Sequence, residues 1–302
     1  MNKKKIKSVF ILLLVSIIWG TTFSAQSMGA ECIGPFSFNT YRSFMAFIFL
    51  FIISLFLNLK DKTNKSFSLY DNKDTYICGI ICGILLFTAS TLQQIGISYT
   101  SVGKSGFITS LYVIIVPLLS IFKRKKIALR TWLCVILVVI GLYFLCLNES
   151  LKLNIGDVLT FFCAIVFSAG ILVINMYSER IHTIKMSCVQ FLTFFIFSFI
   201  CMLIFENIDF TLVKPVLMPL LFAGILSSGV AYTLQIYAQK NTDPISASLI
   251  MSLESVFALL SGLLFLKQFL TVKEIIGCAI IFLSIVISQL PYKIKIVKRF
   301  SR

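Results

Sequence analysis

Residues 246–265 read SASLIMSLESVFALLSGLLF, and a single carboxylate, Glu254, stands in the middle of a run otherwise suited to hydrocarbon. At about 1.5 Å of rise per helical residue, Glu254 lies roughly 15 Å from a helix start at Pro244, close to the midplane of a bilayer core about 30 Å thick. A charge at that depth is costly and asks for a reason. The same stretch has a partner earlier in the chain: SLYVIIVPLLS, residues 110–120, lies over SLESVFALLSG, residues 252–262, which sets Tyr112 against Glu254.

The correspondence extends outward on both sides. CGILLFTASTLQQI (82–95) lies over AGILSSGVAYTLQI (223–236), with Gln94 against Gln235, and KIALRTWLCVILVVIG from residue 126 runs parallel to FLTVKEIIGCAIIFLS from residue 269. Because the spacing between matched positions drifts only from 141 to 143 residues, the pattern reads as an internal repeat of five helices, residues 1–150 and 151–302. A unit with an odd number of spans enters the membrane from opposite sides in its two copies. The repeats are therefore predicted to be inverted, with a substrate site near the midplane between them.

Apolar stretches long enough to cross a bilayer occur at about 8–29, 35–58, 74–97, 100–122, 130–147, 155–178, 185–205, 216–239, 244–266 and 271–290, which makes ten spans. The chain of 302 residues is 58% hydrophobic and 13% charged, too little polar surface for a water-soluble domain. The fold class predicted is an all-α polytopic membrane protein. With the N-terminus inside, 21 Lys and Arg fall on one side and 5 on the other, Arg42 lying within the second span, so both termini are predicted to be cytoplasmic, with a basic tail after the last span. The net charge of +15 is thus read as a topology signal, not as a nucleic-acid surface. The basic, then apolar N-terminus resembles a secretory signal, but nine further spans favour an uncleaved first helix. The longest gap, 59–73, is a charged connector with no room for a soluble domain.

Eight of the nine cysteines (Cys78, Cys82, Cys134, Cys146, Cys163, Cys188, Cys201, Cys278) fall in apolar segments and read as small buried hydrophobes. The lone histidine, His182, sits in a polar loop far from them, so no metal is predicted, and no cofactor either. No phosphate-binding loop, nucleophile elbow or paired acid motif occurs, which leaves little for an enzyme reading.

The Trp19–Gly20 pair late in the first span, Arg42 in FNTYRSF, SGFITSLYVIIVPLLS (105–120) and the ninth-span stretch 246–265 together resemble the ten-helix EamA-type permeases of the drug/metabolite transporter superfamily. The resemblance covers nearly the whole chain. Two features depart from the family pattern: its frequent Glu-Pro is Glu254–Ser255 here, and the usual Gly-Glu closing the fourth and ninth spans is replaced by Arg124–Lys125 and Lys267–Gln268. What the resemblance implies is a secondary transporter of the cell membrane. It would move small metabolites, amino acids or related compounds, by export and alternating access, through a cavity lined by spans 1, 3, 4, 6, 8 and 9. Protons are a candidate second partner, and the working unit is a monomer or homodimer. A drug exporter of the same fold is the close alternative, and a non-transporting membrane enzyme or scaffold the distant one.

Glu254 is the sharpest candidate site residue: it could bind an amino group, carry a proton that alternates with substrate, or serve as interhelical glue. Tyr112, set opposite it by the repeat, could face the same cavity. Arg42, about 11 Å into the second span, could capture a carboxylate, although so near the interface a structural pairing is the expected role; Gln190 is its repeat counterpart. Gln93, Gln94, Tyr232 and Gln235 occupy corresponding parts of spans 3 and 8, and Asn175 and Tyr177 sit late in span 6, where span 1 has Thr22, Phe23 and Gln26. Amides and phenols in hydrocarbon need partners, so these either line a wet cavity or bond neighbouring helices. Trp19 could line the same path or belong to an aromatic belt. The pairs Gly79/Gly83, Gly224/Ser228 and Ala258/Gly262 read as helix contacts.

Overall fold

Long apolar runs leave the backbone no partner but itself in hydrocarbon, and helix is the local solution. The computed structural model describes residues 3–60, 73–122, 127–146, 154–207, 210–266 and 271–289, and these are helical with short connections. The helices are α1 (Lys3–Ala30), α2 (Pro35–Lys60), α3 (Lys73–Ile97), α4 (Val102–Thr109), α5 (Tyr112–Phe122), α6 (Leu129–Cys146), α7 (Ile155–Tyr177), α8 (Thr183–Phe205), α9 (Leu217–Leu221), α10 (Tyr232–Gln239), α11 (Pro244–Met251), α12 (Glu254–Leu266) and α13 (Val272–Gln289). Joined end to end where they continue one another, they make ten rods among the described residues. Eight are long and apolar enough to cross a membrane, and Leu129–Phe144 is a shorter apolar helix. The chain is a multi-pass helical membrane protein. Most of the connector 59–73, the basic tail, the pairs Arg124–Lys125 and Lys267–Gln268, and the side chain of Cys146 lie outside the described residues.

Rod ends are fixed by local capping. Ser101 caps α4 by accepting from Lys104 N at 3.1 Å, and Asn154 and Asp157 close a capping box on α7. Asp243 caps α11, with Pro244 in the first turn, where a missing N–H is harmless. The first turn of α2 is capped from another rod: Glu206, at the end of α8, accepts from Phe36 N and Ser37 N, both at 2.8 Å, and from Ser37 Oγ at 2.6 Å.

Three spans expected to be continuous are interrupted. In the fourth, Ser110 and Leu111 separate α4 from α5, and in the ninth, Ser252 and Leu253 separate α11 from α12. The ninth span is rich in serines whose hydroxyls turn back onto carbonyls three residues earlier: Ser248 to Ile245, Ser252 to Leu249 and Ser255 to Ser252, at 2.7–2.9 Å. Such back-bonding competes with the backbone ladder and bends helices. In the fourth span, Pro117 inside α5 removes a further ladder bond. The eighth span carries a π-helix, Phe222–Ala231, between α9 and α10, a stretch containing Gly224, Ser227, Ser228 and Gly229. The wide turn is unusual and frequently accompanies function.

Rods pack through small residues. A Cβ on Gly20 of α1 would collide with Phe257 and the Glu254 carbonyl of α12, and one on Gly83 of α3 with Thr193 of α8. The Gly79 and Gly224 positions of the small-residue pairs likewise meet Val189 and Met45 across helix contacts. α1 runs between α10, α11 and α12, while α3 lies against α7 and α8, and α6 pairs with α13. This arrangement leaves the midsection of α1 facing the midsections of α3, α7 and α10.

Candidate functional site

Between those midsections lies a cavity of ≈ 60 Å³. α1 contributes Trp19, Thr22, Phe23 and Gln26; α3 contributes Cys82, Leu85, Leu86 and Gln93; α7 contributes the stretch from Val166 to Ile174. The interrupted rods supply Thr109 and Tyr112 beside the fourth-span break, Glu254 just after the ninth-span break, and Ser227, Tyr232 and Gln235 from the π-helix and α10. Arg42 and Gln190 enter from α2 and α8. Those two rods thus join the six expected to form the wall.

Part of the cavity wall is a chain of hydrogen-bonded side chains. Gln26 Nε2 donates to Gln93 Oε1 at 3.0 Å, and Gln93 Nε2 donates to Thr109 Oγ1 at 3.1 Å, tying α1, α3 and α4 together. An aromatic wall stands beside it: the Trp19 and Tyr232 rings are 4.7 Å apart at 51°, and Phe191 meets Tyr232 edge-on at 5.6 Å.

Two ionisable side chains complete the lining, each 3% exposed. Arg42 Nε donates to Ser228 Oγ at 3.3 Å, and its guanidinium lies 5.9 Å from the centre of the Phe194 ring. Its Nη1 has no partner. Tyr112 and Ser110 flank the Glu254 carboxylate, yet Glu254 Oε1 and Tyr112 Oη form no hydrogen bond. Tyr112 and Glu254 are each the first residue of the helix following a break.

Of the residues singled out by the sequence, Glu254, Tyr112, Gln93, Tyr232, Gln235, Trp19 and Arg42 are brought together on this cavity. Gln94 is not: it is fully buried behind the contact of α3 with α1, its Nε2 donating to Gln26 O at 3.0 Å. Asn175 sits instead beside Ser178, Arg180, Gln239 and Lys240, in a separate polar depression at the end of α7. Thr109, Ser227 and Gly170 line the cavity without having been singled out. Gly170 carried a signal, being a glycine inside an apolar span; a Cβ there would meet nothing within 4 Å.

The profile of the EamA-like transporter family matches residues 6–147 and again residues 154–290. An uncharacterized transporter of Archaeoglobus fulgidus is similar at 33% identity over 285 residues, covering 92% of this chain and 84% of that protein. The uncharacterized transporter YoaV of Bacillus subtilis is 24% identical over 284 residues, covering 91% of this chain and 94% of its own. A solved crystal structure of a protein shares the fold, with a TM-score of 0.77 at 15% identity over 94% of this chain and 98% of that one.

Proposed function

This chain belongs to the EamA-like transporter family and is a membrane transporter, and from that premise we propose that it is a secondary transporter working by alternating access around the central cavity. Residues 1–150 and 151–302 form two five-helix halves of opposite orientation, with both termini in the cytoplasm of a cell bounded by this membrane. The cargo is a small metabolite, an amino acid or related compound, moved outward. The energy comes from the cargo's own gradient or from protons exchanged at Glu254.

The observation that carries the reading is the incomplete polar lining of the cavity. Glu254 Oε1, Tyr112 Oη, Gln190 Oε1, Gln235 Oε1 and Arg42 Nη1 are buried without hydrogen-bond partners, although all belong to cavity-lining residues. Buried polar atoms left unbonded are costly, and a polar cargo passing through supplies the missing partners. A structural bundle or scaffold would gain nothing from keeping them. Tyr112, Gln93, Tyr232, Gln235 and Trp19 act in this reading as the contact surface, and Gln94 and Asn175 as support for the rods around it.

The test is uptake and counterflow of a labelled amino-acid panel in proteoliposomes holding wild type or Glu254→Gln, with and without an imposed proton gradient. Flux of a panel member that loses its proton response in the variant is the expected result. A wild type that moves nothing on the panel defeats the amino-acid reading.

A further inference from the structure

Arg42 and Glu254 present a combination that neither carries alone. Both are buried, both line the same cavity, and no ion pair within 4.0 Å joins them to each other. Ion pairs do form elsewhere among the described residues, as between Lys104 and Asp157 at 2.6 Å. Burying a charge without its counter-ion is among the most destabilising arrangements in a protein interior. Had the two side chains only a structural task, direct pairing would relieve both. They are kept apart instead, each with a polar atom left unbonded on the wall of the cavity.

Each is also held in an orientation. The Ser228 hydroxyl fixes Arg42 through Nε, and the Phe194 ring lies beside the guanidinium, which leaves Nη1 without a partner. An Arg held by one edge offers a carboxylate the forked donor geometry it prefers. Glu254 starts α12 directly after the break, with Tyr112 and Ser110 beside its carboxylate and Oε1 unpartnered.

Charge balance then selects the ligand. A cation would engage Glu254 alone, an anion would engage Arg42 alone, and a solute without charges would leave the Arg42 guanidinium without a counter-ion. A molecule carrying one carboxylate and one ammonium satisfies both and adds no net charge to a low-dielectric site. Building on the transporter reading, we propose that Arg42 and Glu254 form a bracket that reads zwitterions, Arg42 taking the carboxylate and Glu254 the ammonium of one amino-carboxylate molecule. Arg42 is in this view a specificity-determining residue, beyond the structural pairing expected of it from sequence.

The experiment compares leucine with two derivatives that each lack one charge, leucinamide and N-acetylleucine. Binding is read from intrinsic tryptophan fluorescence of detergent-solubilised protein, since Trp19 lines the cavity, and transport from counterflow in proteoliposomes. In wild type, leucine should bind about tenfold or more better than either derivative, the loss expected when a charge-assisted hydrogen bond is removed. Arg42→Gln should cost leucine about that factor while leaving leucinamide unchanged, and Arg42→Lys should restore part of it. Glu254→Gln should leave N-acetylleucine unchanged while leucine falls. A wild type that treats all three alike overturns the bracket without needing any variant to fold, and so does a variant that weakens all three in one ratio. If leucine is carried without this discrimination, the bracket fails and the transporter reading stands. If the discrimination appears in binding but no flux follows, the bracket stands and the transporter reading fails. If leucine neither binds nor moves, the bracket and the amino-acid reading fall together.

Discussion

The hydroxyls of Ser24 and Ser261 lie 2.7 Å apart across the seam between α1 and α12, and Ser261 Oγ also reaches the Gly20 carbonyl at 3.3 Å. Helices can share such bonds only where their backbones nearly touch, which Gly20 permits. Gly20→Ala places a methyl against Phe257 and the Glu254 carbonyl. It should destabilise the bundle by about 1–3 kcal/mol, the usual cost of overpacking, visible as a lower unfolding temperature in detergent and a lower monodisperse yield.

Gly170 should behave in the opposite way. With nothing within 4 Å of its missing Cβ, Gly170→Ala should leave the unfolding temperature unchanged. Gly170→Leu projects into the cavity and should suppress flux while the protein folds normally; loss of folding in the alanine variant would show that the wall is packed there.

The amide chain gives a graded prediction. Gln93→Leu removes both of its bonds, to Gln26 and Thr109, and should cost about 1–2 kcal/mol of stability, the scale of polar contacts between helices in a membrane. Gln94→Leu removes one bond outside the cavity and should lower stability less, without altering the order in which substrates are preferred. A shift of substrate preference in the Gln94 variant would contradict its placement.

Asp157 holds Lys104 Nζ at 2.6 Å, the Thr100 hydroxyl at 2.9 Å and the Asn154 backbone N–H at 3.0 Å, and its side chain is 1% exposed. Asp157→Ala removes the shared acceptor of this network and should lower stability, read as a lower unfolding temperature in detergent. Replacing Lys104 by Met at the same time should recover part of that loss, measured as a double-mutant cycle in detergent unfolding.

Topology is open to a direct check. The bias of 21 Lys and Arg against 5 predicts that tags at both ends are reachable only from the cytoplasm. A C-terminal tag labelled from outside would break the odd-numbered repeat.

How much of this was legible in the sequence depends on which physical signal each feature leaves. Apolar length is local, and the spans appear where the hydrophobic runs are, from Lys3–Ala30 to Val272–Gln289. The pairing of Tyr112 with Glu254 was also legible, because the same Ser-Leu precedes both residues. The breaks themselves were not: the one in the ninth span lies where serine hydroxyls compete for carbonyls, and hydropathy does not record that competition. Rotation about the rod axis was equally hidden. Gln93 and Gln94 are neighbours in sequence, but one residue turns a helix by about 100°, so one faces the cavity and the other the back of α1. Asn175 shows the same limit, since a polar residue in an apolar helix announces that it needs a partner without naming the side on which the partner stands. The π-helix at Phe222–Ala231 has no counterpart in the matching α3, and no periodicity in the sequence marks it.

Gly170 separates two problems that most interior positions combine. At Gly20 or Gly83 a larger residue is refused by the neighbouring helix, so the identity of the residue is a matter of whether the bundle assembles at all. At Gly170 assembly imposes no such demand, and the side chain can vary with the dimensions of whatever passes through. Selection for a new cargo can therefore act there by single substitutions that leave the scaffold intact, which gives one bundle a short mutational route to many diets.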